Sequence, residues 1–131
     1  MSSGAAHAQR MTNTRTIIEQ FNAAFLERAP DKLLDIVADD CVMEGVGPAP
    51  DGNRWVGYEE CIAGWRQLAL SDEIRFESEH VDVDGDHAVL RWRLHGAEPY
   101  RGVTLMRVRD GKIVEALGYG KRPEFVVPSA P

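Results

Sequence analysis

The sequence predicts an α+β fold, on three observations. In the first half of the chain apolar residues recur at helical spacing, as in Ile17, Phe21, Ala24 and Phe25. Past Ser71-Asp72 the period changes from 3.6 to 2, with Ala88, Leu90, Trp92 and Leu94 on one face of a strand and Val89, Arg91, Arg93 and His95 on the other. Finally, two apolar runs meet at Asp110-Gly111, a strong hairpin signal when alternating hydrophobics flank it. Helices first and antiparallel strands after them define a layered α+β architecture.

A chain of 131 residues is one domain, long enough to bury a core without staples. With 44% hydrophobic and 27% charged residues it has an ordinary globular composition. The net charge of −6 argues against nucleic acid, whose binding is dominated by phosphate neutralisation. Cys41 and Cys61 lack a metal-ligand spacing and make no disulfide framework, so both read as buried thiols. No apolar run approaches the roughly 18 residues of a spanning helix. Residues 1–11 lack the apolar centre of a secretory signal, so the default address is cytoplasmic. The expected domain runs over 12–122, between a disordered lead-in (1–11) and an extended tail (123–131) containing Pro123, Pro128 and Pro131.

Thr16-x-x-Glu19 reads as a capping box opening the first helix, which ends near Arg28 because Pro30 breaks it. Asp31 starts a second, shorter helix carrying Leu33, Leu34 and Val37, and Cys41 to Glu44 reads as a short strand. From Gly45 to Gly57 the chain is turn chemistry around Trp55, which either rims a pocket or packs the loop to the body. A third helix spans Tyr58 to about Leu70, with Ile62, Trp65 and Leu68 in its stripe. Strands follow over Ile74–Val83 and His87–His95, joined by Asp84-Gly85-Asp86.

In the closing hairpin, loop length decides which side chains share a face. A two-residue loop pairs Met106 with Glu115 and sets a carboxylate among apolar groups. A three-residue loop, with Gly111 left-handed as a bulge, pairs Met106 with Val114 and Gly102 with Gly118. The second register is preferred, because it separates a small apolar face from a mixed one. On that small face Gly102, Thr104, Ala116, Gly118 and Gly120 have almost no side chain. Interiors are close-packed, so either a neighbour sits tightly on this strip or the strip lines a cavity.

With IIEQFNAAF, LLDIVADDCVMEG, WVGYEECIAGW and RGVTLMRVRDGKIVEALGYG in hand, the chain from about Thr14 to Lys121 resembles the superfamily named after nuclear transport factor 2. That superfamily includes the ketosteroid isomerases, the SnoaL-like polyketide cyclases and the limonene epoxide hydrolases. The resemblance implies a cone: a curved, mostly antiparallel sheet wrapped round three N-terminal helices, with a deep pocket inside. It carries the chemistry over poorly. The isomerases' helix tyrosine falls on Phe21, their aspartate base on Gly45 and their second donor on Thr104, while the epoxide hydrolases' last-strand aspartate falls on Gly118. Isomerisation needs a base near the substrate carbon and donors aimed at the developing enolate. SnoaL-like cyclases, needing a single acid/base in an apolar cone, make a looser demand.

The candidates for proton transfer are Glu44 and His80, with Thr104 assisting. Glu44 lies one step from the base position, and a bulge would turn it inward, where burial raises its pKa; alternation from a buried Met43 puts it outside. Histidine is a residue type suited to proton shuttling, yet alternation from Val81 puts His80 outside too, unless a bulge intervenes after Phe76. The expected pocket lining is Phe21, Phe25, Trp65 and Trp92, with Met43, Trp55, Gly102, Met106, Ala116 and Gly118. No His/Cys/Asp/Glu set has a metal spacing, and no cofactor is expected. Two functions follow: a cofactor-independent isomerase- or cyclase-type enzyme acting on a hydrophobic ring-containing molecule, or a cone that binds such a molecule without turnover. They differ in whether a carboxylate or imidazole points into the cone. The expected partners are that small molecule and a second copy of the chain. Val103, Leu105, Ile113, Leu117 and Tyr119 would make a homodimer face, with Arg91, Arg93, Arg101, Arg107 and Glu115 as its polar rim.

Overall fold

The computed structural model describes residues 3–121. Helix α1 (Ser3–Leu26) leads through a 3-10 turn (Pro30–Leu33) to strand β1 (Val37–Glu44). Strand β2 (Arg54–Val56), helix α2 (Tyr58–Leu70) and strands β3 (Arg75–Asp84), β4 (His87–His95), β5 (Tyr100–Arg109) and β6 (Lys112–Gly120) follow. The strands form one sheet in the order β2-β1-β6-β5-β4-β3, antiparallel throughout except for the parallel β1–β6 pair. The α+β class and the cone-like curved sheet stand as expected. Both helices pack on the concave side, α1 against β3 and β4 and α2 against β1.

The first helix is longer than its sequence signals suggest. Residues 3–11, expected as a disordered lead-in, are helical, and Thr16 donates its hydroxyl to Thr12 O within the helix instead of capping it. Ala5, Ala6, Ala8, Gln9 and Met11 are good helix formers, and His7 Nε2 reaches Asp84 at 3.4 Å. Further on, buried Thr14 donates to Gly85 O at 2.8 Å and fastens the helix to the β3–β4 turn. Arg28 ends it in the left-handed region (φ 52°), with Ala29 N donating to Ala24 O and Arg28 N to Phe25 O, the Schellman closure. The expected tail, 123–131, lies outside the described residues.

The expected second helix shrinks to the 3-10 turn, so the sheet packs against two helices rather than three. Ile36 and Val37 are β-branched and buried, and they favour the sheet: Ile113 N donates to Ile36 O, and Val37 pairs with Ile113. The loop read as pure turn chemistry contains β2, which pairs Trp55 with Met43.

The β5–β6 hairpin adopts neither simple register. Asp110 (φ 52°) and Gly111 (φ 76°) form a two-residue turn whose two positive φ values match the twist of the strands. Val108 therefore pairs with Ile113. A bulge at Val114 then shifts the ladder so that Met106 faces Ala116, Thr104 faces Gly118 and Gly102 faces Gly120. The extra residue restores the separation of faces that the three-residue loop was expected to supply. It also buries Ile113 and Val114 together, removing Ile113 from the expected outer patch.

Candidate functional site

Between the helices and the concave face lies a partly open cavity of about 310 Å³. Helix α1 supplies Phe21, Asn22, Phe25 and Leu26, and α2 supplies Trp65 and Leu68. The sheet supplies Met43, Trp55, Phe76, Leu90, Trp92 and Thr104, and opposite them the small pair Ala116 and Gly118. One wall is a run of aromatic rings packed edge to face or tilted. Successive ring centroids are 5.3 Å apart for Trp65–Phe21, 4.9 Å for Phe21–Phe25, 5.6 Å for Phe25–Phe76, 5.6 Å for Phe76–Trp92 and 5.7 Å for Trp92–Tyr100. These separations are those of favourable aromatic pairs.

The small-residue strip divides between both of its expected roles. Ala116 and Gly118 line the cavity, whereas Gly102 does not: a Cβ there would run into Tyr119 O and stand 2.6 Å from the Trp92 ring. Gly120 likewise makes room for Tyr100 and Val46, either of which a Cβ would meet at 2.9 Å. Met106, expected in the lining, sits below the cavity floor, 2% exposed in the core beside Ala116 and Ala88. Trp55 does both things proposed for it. Its ring is pinned between Gly45 and Gly64, where added Cβ atoms would lie 3.3 and 3.2 Å away, and it also faces the cavity.

The two alternative proton-transfer candidates, His80 and Glu44, lie in different places. His80 is outside the cavity lining and its Nε2 lies 2.9 Å from Asp82 Oδ1 on the exposed face. A bulge does intervene, at Glu79, but it turns the residues before it: Phe76 pairs with Leu94 and Ser78 with Trp92 on the cavity side, and His80 pairs with Arg91 on the other. Glu44 reaches the cavity rim. Strand alternation sets its carboxylate on the face opposite Met43, where Arg54 Nη1 donates to Oε2 at 3.0 Å. Glu77, also at the rim, is turned the same way and lies 2.7 Å from His95 Nε2.

Inside, the polar groups are neutral. Trp92 Nε1 donates to Thr104 Oγ1 at 2.9 Å, and Asn22 Nδ2 approaches Ser78 Oγ at 3.5 Å. Tyr100 also lines the cavity, and burial pushes its phenol above the usual tyrosine range. Ser78, Asn22, Asn53 and Phe76 were missed from sequence. Counting in twos back from Val81 turns Phe76 and Ser78 outward, and the signal of the bulge was the odd, five-residue interval between apolar Phe76 and Val81. Cys41 and Cys61 are free, buried thiols, with Cys61 Sγ 3.5 Å from Cys41 O. Donation of the Cys41 thiol proton to the Cys61 sulfur, together with burial, pushes the Cys41 thiol up. Among the described residues no three His, Cys, Asp or Glu side chains converge as metal ligands do, and no helix is long and apolar enough to cross a membrane.

Comparison with known proteins agrees with this geometry. An NTF2-like protein of unknown function from Mesorhizobium loti is 43% identical, with a TM-score of 0.84 over 86% of this chain and 94% of that one. A further NTF2-like protein of unknown function, from Burkholderia xenovorans, is 23% identical (TM-score 0.72, 91% of this chain, 90% of that one). An LEH-like epoxide hydrolase of M. tuberculosis shares the fold at 20% identity (TM-score 0.68, 85% of this chain, 80% of that one). No curated protein matches the sequence. The model of the SnoaL-like domain matches residues 18–116, a span that runs from α1 into β6 and holds every cavity-lining residue except Gly118, and the chain therefore belongs to the SnoaL-like family within the NTF2-like superfamily.

Proposed function

We propose that this chain binds an uncharged, largely apolar, ring-containing small molecule in its cone and does not turn it over. The observation that carries this reading is where the proton-transfer candidates have gone: Glu44 is committed to Arg54 and His80 to Asp82, while aromatic and small apolar side chains hold the interior. A ligand burying about 200 Å² of apolar surface gains roughly 5 kcal/mol at about 25 cal/mol per Å² before the costs of association. That gain corresponds to a Kd of roughly 0.2 mM, so apolar burial alone supports binding in the submillimolar to millimolar range. Thermal shift with polycyclic ketones, polyketide-like aromatics and terpene epoxides is expected to show stabilisation by at least one class, retained in Glu44→Gln, with no product formed. Turnover that disappears in Glu44→Gln would instead favour the cofactor-independent isomerase- or cyclase-type enzyme. The observation favouring that second reading is that Glu44 sits at the rim beside Gly45.

The partner reading is a homodimer through the outer sheet face. Val103, Leu105, Leu117 and Tyr119 lie together there, with Leu105 39% and Tyr119 54% exposed. At the edge Arg101 forms a two-pronged ion pair with Glu79, at 2.8 and 3.0 Å. Light scattering is expected to give twice the 14.6 kDa chain mass, falling to one chain in Leu105→Glu. A concentration-independent monomer would remove the dimer from the account.

A further inference from the structure

We infer that the cavity recognises a ligand carrying two hydrogen-bond acceptors, carbonyl or ether oxygens on a fused-ring skeleton, one taken by Thr104 and the other by Ser78. This deepens the binding reading above and rests on it.

An indole N–H is a donor only, so the 2.9 Å contact between Trp92 Nε1 and Thr104 Oγ1 has one direction: Thr104 accepts. A hydroxyl that accepts still has its own proton to give. Among the described residues no protein acceptor takes the Thr104 proton, and Thr104 lines the cavity. Accepting from the indole also polarises the hydroxyl and strengthens what it donates. Ser78 repeats the pattern more loosely. Asn22 Nδ2 approaches its oxygen at 3.5 Å, no described acceptor takes its proton, and it too lines the cavity.

The sheet fixes how far apart the two donors are. Ser78 pairs with Trp92 and Trp92 with Gly102, so Ser78 and Gly102 share one row, and Thr104 is two residues along β5. Two strand spacings and a two-residue rise place the Ser78 and Thr104 Cα atoms roughly 12 Å apart on a flat sheet. Concave curvature and side chains reaching inward shorten the gap between the oxygens. One small ring is too short to touch both, whereas two or three fused rings with oxygens at opposite ends span it. The surface between the donors is apolar, with Trp92 and Leu90 on the same strand face. On β6, Thr104 faces Gly118, which adds no side chain of its own beside the apolar Val46. Bare aliphatic rings would therefore fit the walls and leave both hydroxyl protons unused.

The test uses three probes of one shape, decalin-2,6-dione, 2-decalone and decalin, titrated into wild type, Ser78→Ala, Thr104→Val and Thr104→Ser. Wild type is expected to bind the dione three- to tenfold more tightly than the monoketone, and the monoketone more tightly than decalin. Ser78→Ala should bring the dione down to the monoketone's affinity while leaving decalin unchanged. Thr104→Val should do the same and Thr104→Ser should restore the difference, which a merely structural role for Thr104 would not do. Equal binding of all three probes to wild type would overturn the inference and leave the binding cone standing. Equal weakening of all three probes by Ser78→Ala would also overturn it. If none of the three binds at millimolar concentration, the inference and the binding reading fall together.

Discussion

Gly102→Ala is expected to lower unfolding stability by about 2–4 kcal/mol, among the larger effects of adding one methyl group. The added Cβ would meet Tyr119 O on the neighbouring strand and lie 2.6 Å from the Trp92 ring. Neither neighbour yields easily. The Tyr119 carbonyl belongs to the sheet backbone, and Trp92 is wedged edge-on between Phe76 and Tyr100 with its indole nitrogen tied to Thr104. Relieving the clash means moving the ring into the cavity or opening the β5–β6 ladder, and either costs packing or hydrogen bonds. Urea unfolding followed by tryptophan fluorescence reads the loss, which corresponds to a melting temperature lower by roughly 10 °C for a domain of this size. A change below about 0.5 kcal/mol, the range of an ordinary surface substitution, would mean that Trp92 does not lie over Gly102.

Ala116→Leu is expected to weaken ligand binding at least tenfold while the protein stays folded. Ala116 is 2% exposed, lies between Met43 on one neighbouring strand and Met106 on the other, and faces the cavity. A leucine there extends into space that a ligand would otherwise fill. Because it enters a void of about 310 Å³, its new methyl groups gain contacts instead of forcing neighbours apart, and the melting temperature should hold or rise slightly. If the concave side were filled core, the same substitution would be overpacking and would cost about 1–3 kcal/mol. Calorimetry of binding and thermal unfolding of the same variant therefore separate a ligand cone from a packed core.

The class of fold and much of the cavity were legible in the sequence because they depend on local patterns. The Phe21-Phe25 stripe, the Trp65 position on α2 and the alternation of Leu90, Trp92 and Leu94 each follow from one period in one element. The errors came where two elements decide together. The bulges at Glu79 and Val114 are set by how neighbouring strands curve around the helices, and each reverses the parity of everything beyond it. That is why Ser78 was missed, and why the hairpin reached the right faces by the wrong loop. Gly102 and Gly118 are identical residues on adjacent strands, and only the neighbours show that one receives Trp92 while the other, with Val46 and the Glu44 carbonyl close against it, borders the cavity. Ile36-Val37 looked like the end of a helix until β6 was available to pair with it.

An uncharged interior is expected to select an uncharged ligand. The most direct test is calorimetric titration of wild type with 2-decalone and with decalin-2-carboxylate at pH 7, two probes on one ring system that differ in charge. The ketone is expected to bind with a negative heat-capacity change, the marker of apolar burial, and the carboxylate at least tenfold more weakly. The cavity lining contains no Lys, Arg or His to offset the cost of burying that charge. A carboxylate that binds as well as the ketone, and competes with it, would contradict the account.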